Sequence, residues 1–308
     1  MVVEKIVIGN EYPLDGLRTI PDKAENKCPA VVLVHGSGAH DMDEKIYGIR
    51  PFKDIAEGLA AVGIASVRYN KRSLTYGKKM MKTIGKSLTV REETIEDAVF
   101  AANLLRNDPR INPEKIYIIG HSMGGMLAPR IDAEGGNFAG LIILAGSPRK
   151  LEQIMKEQQA NFMKTAKGPI KWIAGKQIKK YAEKLDKIYI LSDDEAKKVA
   201  FAGGTSLYYL KEWGMKSSAQ YLENFAKPIL VMHGGKDLQV STEEDFDGYK
   251  DILKDHPDAT FKFYPDLNHA FMPALYNEVG KAMKEFKQER QVEDYVIADM
   301  AKWINAHA

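Results

Sequence analysis

A doubly wound α/β domain with a mostly parallel sheet is the fold class that the sequence predicts. Short apolar runs rich in β-branched residues alternate with segments of helical spacing, and most of those runs are continuously apolar, as strands covered on both faces must be. A further observation refines the prediction: between about 148 and 225 no convincing strand occurs, which marks a helical insertion.

Taken in order, Val2–Ile8 and Leu14–Ile20, joined by a turn near Gly9-Asn10, read as an antiparallel hairpin added at the sheet edge. Strands follow at 30–34, 64–69, 115–119 and 141–144, each closed at once by glycine or polar residues, with two more at 229–232 and 260–264. Helical spacing occupies 51–62, 90–107, 124–133, 242–254 and 291–306. In the second of these, Ile95, Val99, Ala102 and Leu105 share one stripe, Arg91, Glu92 and Glu96 lie on other faces, and Asp108-Pro109 ends it. Strand and helix alternating in this way imply right-handed crossovers and a three-layer domain. The insertion is lysine-rich and amphipathic. Its Met155, Phe162, Met163, Trp172, Ile173, Tyr181, Leu185 and Tyr208 either form the inner face of a helical subdomain or, in part, contact a substrate beneath it. No repeat or low-complexity linker divides the chain, so residues 1–308 are read as one domain with a helical cap at about 148–225.

Composition excludes several function classes. A chain of 308 residues, 44% of them hydrophobic, can bury one large core. Lys plus Arg (44) nearly balances Asp plus Glu (42), so no long-range field points to nucleic acid or an anionic membrane as partner, and a small neutral molecule is expected instead. The single cysteine, Cys28, allows no internal disulfide and no cysteine-rich zinc site; it reads as a buried thiol. The N-terminus carries charges where a signal peptide needs apolar residues, and no run of about 18 apolar residues occurs. A cytoplasmic location is therefore expected, although a leader trimmed away would leave the same sequence, and a homodimer is compatible with it.

The chemistry concentrates in four places. Gly120-His121-Ser122-Met123-Gly124-Gly125 stands between a strand and a helix, the context that a nucleophile on a tight strand-to-helix turn requires, with small residues two before and two after it. A serine needs a base, which in turn needs orienting. His269, in Asp266-Leu267-Asn268-His269-Ala270-Phe271 after the last strand, is the candidate base. Asp237, in Gly234-Gly235-Lys236-Asp237, is the candidate orienting acid, with Asp266 as competitor. Of the remaining histidines, His233 is assigned to a structural turn, His121 to packing or hydrogen bonding beside the serine, and His40, His256 and His307 to solvent. Two backbone amides would hold an oxyanion: Met123, directly after the serine, and Ser37, in His35-Gly36-Ser37-Gly38 after an earlier strand. Arg68, Lys71 and Arg72 could bind a substrate carboxylate, but pairing with Asp43 or Glu44 to brace two loops is the preferred reading.

In order and context, HGSG, GHSMGG, GGKD and NHAF resemble the α/β-hydrolase superfamily over nearly the whole chain. The loop from His35 to Glu44 and the later Arg68-Tyr69-Asn70-Lys71-Arg72 look more narrowly like a bacterial carboxylesterase subgroup related to dienelactone-hydrolase-like and cinnamoyl-esterase-like proteins. That resemblance implies cleavage of small carboxylic esters, of short-chain acyl or aryl type, through an acyl-enzyme and without metal or cofactor. Serine at position 122 departs from the cysteine of true dienelactone hydrolases and from the aspartate of haloalkane dehalogenases and epoxide hydrolases. A thioesterase or acyltransferase using the same three side chains is the alternative; a non-catalytic binding protein on this scaffold is a more distant one.

Overall fold

The computed structural model describes residues 1–22, 27–165, 168–201, 204–276, 281 and 284–308. Among them, eight strands form one sheet in the order β1-β2-β4-β3-β5-β6-β7-β8. They are β1 (Val2–Ile8), β2 (Leu14–Ile20), β3 (Cys28–Val34), β4 (Ala65–Tyr69), β5 (Ile111–His121), β6 (Leu141–Leu144), β7 (Ile229–Gly234) and β8 (Ala259–Tyr264). The predicted hairpin is present: β1 pairs antiparallel with β2, and β2 antiparallel with β4, while every pairing from β4 to β8 is parallel.

Alternating side chains of each parallel strand serve opposite faces. Val31 and Leu33 of β3 join one core with α1 (Pro51–Ala61) and the C-terminal helix Asp294–Ala306, through Phe52, Leu59, Val296 and Met300. Ala30, Val32 and Val34 join the other, with α3 (Glu96–Arg106) and α4 (Met123–Ile131), through Ala98, Leu105, Leu127 and Ile131. Both faces being covered explains why these strands are continuously apolar rather than alternating. Cys28 is buried, and burial pushes its thiol up.

Some boundaries differ from the sequence reading for identifiable reasons. β5 begins at Ile111, ahead of Pro113, because Ile111 pairs with Cys28 across a register shift before regular pairing starts at Ile116. The helical stretch from 90 opens as a π-type turn, Arg91–Ile95, before α3, and the stretch from 242 does the same, Thr242–Phe246, before α10 (Asp247–Ile252). A further helix, α2 (Arg72–Thr83), escapes the apolar pattern because it buries only Arg72 and Met80. The inserted segment is helical as read: α5 (Leu151–Thr165), α6 (Gly168–Leu185), α7 (Asp193–Lys198), α8 (Leu207–Gly214) and α9 (Ser218–Leu222). Ser192 with Glu195, and Ser217 with Gln220, close reciprocal capping boxes at the starts of α7 and α9.

Strand order positions the functional loops. The chain leaves β3 toward β4 on one side and later returns to β5 on the other, so a crevice opens at the carboxyl ends of β3 and β5, where the order reverses. Val34 pairs with Gly120, so the loop after β3 and the turn after β5 start side by side. Likewise His233 pairs with Phe263 and Gly234 with Tyr264, which sets the loops after β7 and β8 next to each other. Among the described residues no helix is long and apolar enough to cross a membrane.

Candidate active site

Ser122 follows β5 with φ 51° and ψ −113°, a left-handed backbone conformation that side-chain-bearing residues rarely adopt. Two glycines make it attainable. A Cβ at Gly120 would stand 2.2 Å from the Gly124 carbonyl oxygen, and one at Gly124 would stand 2.1 Å from the Val34 carbonyl oxygen. The Ser122 amide donates to the Leu144 carbonyl at 2.8 Å, pinning the turn to β6. Met123 is the first residue of α4, so its amide has no carbonyl four residues back to bond.

His269 and Asp237 meet as the spacing predicted: Nδ1 and Oδ2 are 2.6 Å apart. Asp237 Oδ1 accepts from the Gln239 and Val240 amides at 2.7 and 3.0 Å, which turns the other oxygen toward the ring. Burial alone would raise the Asp237 carboxyl, but the His269 ring, its hydrogen bond and the Gln239 amide outweigh it and hold the group below its ordinary value, hence ionised. Asp266, the sequence competitor, is exposed and makes no pair with the ring. Neighbouring backbone ties the two loops: the Lys236 amide donates to the Leu267 carbonyl at 2.8 Å. Asn268 shapes the turn that carries His269, its Oδ1 accepting from the Ala270 and Met272 amides and its Nδ2 donating to Glu285 at 2.6 Å.

Ser122, Met123, Ser37 and His269 all line one cavity of about 800 Å³. Among the described residues no hydrogen bond joins the Ser122 hydroxyl to the His269 ring, whose Nδ1 is taken by Asp237. The wall is mostly apolar, with Met80, Met126, Met155, Ile154, Leu210 and Trp213 prominent. Of the insertion residues singled out from sequence, Met155 lines the cavity; Leu185 is buried in the core, Trp172 is exposed, and the side chain of Ile173 lies outside the described residues. Tyr209, Leu210 and Trp213 on α8 line it without having been singled out.

The other histidines correct part of the sequence reading. His121 is buried, its Nε2 donating to the His269 carbonyl at 3.0 Å, with its Nδ1 2.9 Å from Glu44 Oε2. His233 lies within β7 rather than on the turn, in a three-ring cluster with Phe246 and Phe263, and burial lowers its pKa. His40, expected in solvent, lines the cavity with Nε2 2.7 Å from the Ser37 carbonyl; His256 and His307 are half-buried and bonded to Asp258. Their polar flanks were a poor guide, because in each case the partner is backbone or a side chain that only folding or a tight turn brings near.

Glu44 is the residue that sequence misassigned. It is fully buried at φ 50°, its Oε1 accepts from the Gly36 amide at 2.6 Å, and its charge partner is His121 rather than a basic residue of the 68–72 loop. Only Arg68 takes its expected partner, Asp43, at 2.9 Å; Arg72 binds Glu96 and Asp97, and Lys71 binds Glu93 and the Gly36 carbonyl. All three cations are buried and engaged, which leaves none of them as an anion clamp.

An eight-stranded sheet in this order, whose fifth strand ends at a strained serine, is the architecture of an α/β hydrolase, and the chain is an enzyme of that class. It belongs, more narrowly, to the family described as serine aminopeptidase, S33, whose model matches residues 25–273. The chain is similar to Esterase EstD of Thermotoga maritima, with 33% identity across 98% of this chain and 67% of that protein. Its fold is similar to that of Est1E from Butyrivibrio proteoclasticus, with TM-score 0.57, 15% identity and coverage of 96% of this chain and 99% of the other. Dienelactone hydrolase from Anabaena variabilis is similar in fold to the same degree, with TM-score 0.55, 16% identity and coverage of 99% and 97%.

Two outcomes test this geometry. Gly124→Ala forces a methyl against the Val34 carbonyl and is expected to cost about 3 kcal/mol or more in urea unfolding; a loss under about 1 kcal/mol would contradict the packing. The second concerns Glu44 and His121. Burial disfavours charge on both, yet each stabilises the other's: Glu44 is held down to about 2 and His121 is raised above its ordinary 6.5. The pair's stabilisation is therefore complete between the ordinary glutamate value of 4.5 and that 6.5. It is lost as pH falls toward about 2, and lost again as pH rises through the elevated His121 value. Glu44→Gln should cost about 3 kcal/mol within that window, with the deficit against the native protein shrinking at alkaline pH. A pH-independent deficit would show that the pair is not ionic.

Proposed function

We propose that the protein is a serine carboxylesterase acting on small neutral carboxylic esters, of short-chain acyl or aryl type, with Ser122 as nucleophile, His269 as general base and Asp237 orienting it. The observation that carries this reading is the 2.6 Å contact of His269 with an ionised Asp237, at the wall of the same cavity that holds the strained serine. His269 takes the proton of Ser122 as its oxygen adds to the ester carbonyl, and the Met123 and Ser37 amides hold the resulting oxyanion. Protonation by His269 releases the alcohol; water then attacks the acyl-enzyme by the same route, with His269 again as base. The segment 148–225 acts as a cap over the acyl group. Similarity to Esterase EstD supports the ester class.

The lining favours esters over peptides with a free amino terminus. Glu44 and Glu93 are the acidic residues of the cavity wall, and both are already paired, Glu44 with His121 and Glu93 with Lys71. Among the described residues this leaves no free carboxylate there to meet an α-ammonium group.

Ser122→Ala is expected to abolish p-nitrophenyl ester cleavage and fluorophosphonate labelling while leaving the thermal transition in place; wild-type turnover by that variant would end the assignment. His269→Ala and Asp237→Asn should each lower kcat steeply, and the triple variant should be little worse than Ser122→Ala, because the three act as a unit. The apolar cavity makes a second demand on the kinetics. Two added methylenes contribute about 0.8 kcal/mol each when buried, so butyryl esters should exceed acetyl esters in kcat/KM by about tenfold. An acetyl ester turned over as well as butyryl would exclude an apolar acyl site.

A further inference from the structure

Lys71 is 2% exposed, and its ammonium has no role in the acyl-transfer steps above. Its three N–H donors meet three acceptors: the Gly36 carbonyl at 2.9 Å, Glu93 Oε1 at 3.3 Å and the Met123 sulfur at 3.8 Å. Gly36 and Ser37 share a planar trans peptide, in which C=O and N–H point in opposite directions. A hydrogen bond that fixes the Gly36 oxygen therefore also fixes the aim of the Ser37 N–H. The flanking peptides are held as well. Glu44 takes the Gly36 amide, and His40 meets the Ser37 carbonyl while its own carbonyl accepts from the Lys71 amide at 3.0 Å. This loop is also close to the nucleophile: a Cβ at Gly36 would stand 3.3 Å from that of Ser122.

Glu93 extends the arrangement upward. Its second oxygen accepts from the hydroxyl of Tyr209, which stands on α8 of the insertion and lines the cavity. A ring on the cavity wall is thus two contacts from the Lys71 ammonium.

We propose that Lys71 is a positioning residue for the Ser37 oxyanion donor, held in register by Glu93 and, through it, by Tyr209 of the insertion. The proposal rests on the reading of Ser122 as nucleophile and Ser37 as a donor. Without Lys71 the Gly36–Ser37 peptide loses the lysine hydrogen bond to its own carbonyl and is oriented only through its neighbours, and the loss falls on the tetrahedral state rather than on substrate binding.

A matched inhibitor pair tests this. An alkyl trifluoromethyl ketone accepts the Ser122 oxygen at its carbonyl carbon, the serine proton passing to His269, and forms a hemiketal oxyanion; the methyl ketone of the same chain binds without forming one. Lys71→Met is expected to lower kcat about 30-fold with KM within twofold, and to weaken the trifluoromethyl ketone by a similar factor while sparing the methyl ketone. Should Lys71→Met not fold, Glu93→Gln, which keeps the ammonium but removes its charged partner, should show the same selective loss at about a third of that size, and Tyr209→Phe a smaller one. Equal weakening of both ketones, or of neither, in the variants that fold overturns the proposal. Failure of the underlying reading is distinct: the native protein would then form no hemiketal, or Ser122→Ala would still hydrolyse esters, whatever Lys71 does.

Discussion

Close approach of three backbones is the constraint on which the site depends. The strand that precedes Ser122, the helix that follows it and the end of β3 meet at Gly120 and Gly124, where no Cβ fits. That contact forces the serine into its left-handed turn and sets the Met123 amide at a helix start, where it has no partner within the helix. The strain is held by the surrounding sheet, because Ser122 is anchored to β6 through its own amide and to α4 through its carbonyl, which accepts from Met126 at 3.0 Å. A residue in such a conformation persists only where its neighbours overdetermine it, and here they include both central strands.

Around that point the protein buries charge in pairs. Asp237 with His269, Glu44 with His121 and Lys71 with Glu93 each set an ionisable group out of water against a partner. Buried pairs add little net stability, since desolvation offsets most of their attraction, but removing one member leaves the other stranded. Their value lies in geometry. Glu44 and His121 between them fix the Gly36 amide and the His269 carbonyl, so one buried pair joins the loop after β3 to the loop after β8. The apolar wall of the cavity sharpens all of these interactions by keeping the local dielectric low.

Much of the fold was legible because its strands lie buried on both faces, giving continuous apolar runs that periodicity detects, and because Gly120 and Gly124 flank Ser122 at the spacing the turn demands. The pairing of Asp237 with His269 followed from topology: each lies in the loop just beyond one of two neighbouring parallel strands. Other features were not legible for equally physical reasons. α2 is polar overall, with Tyr76, Met80 and Met81 its few core-facing apolar residues among lysines, and the π-type openings of two helices leave no compositional trace. Glu44 sits among polar residues of a long loop, where the basic residues at 68–72 are the partners that sequence offers, yet it is enclosed against His121, distant in sequence.

Residue order alone determined the alternating α/β architecture, the helical insertion and the placing of Ser122, Asp237 and His269 in loops at one end of the sheet, because backbone sterics and burial on both sheet faces act through local spacing. Tertiary structure alone decided which charge meets which: Glu44 with His121 rather than Arg72, Lys71 with the Gly36 carbonyl rather than a loop acid, and Tyr209 rather than Trp172 at the cavity wall. The reason is range. Hydrophobic periodicity is written within a few residues, whereas a buried ion selects its partner by distance and desolvation in three dimensions, where sequence separation carries no information.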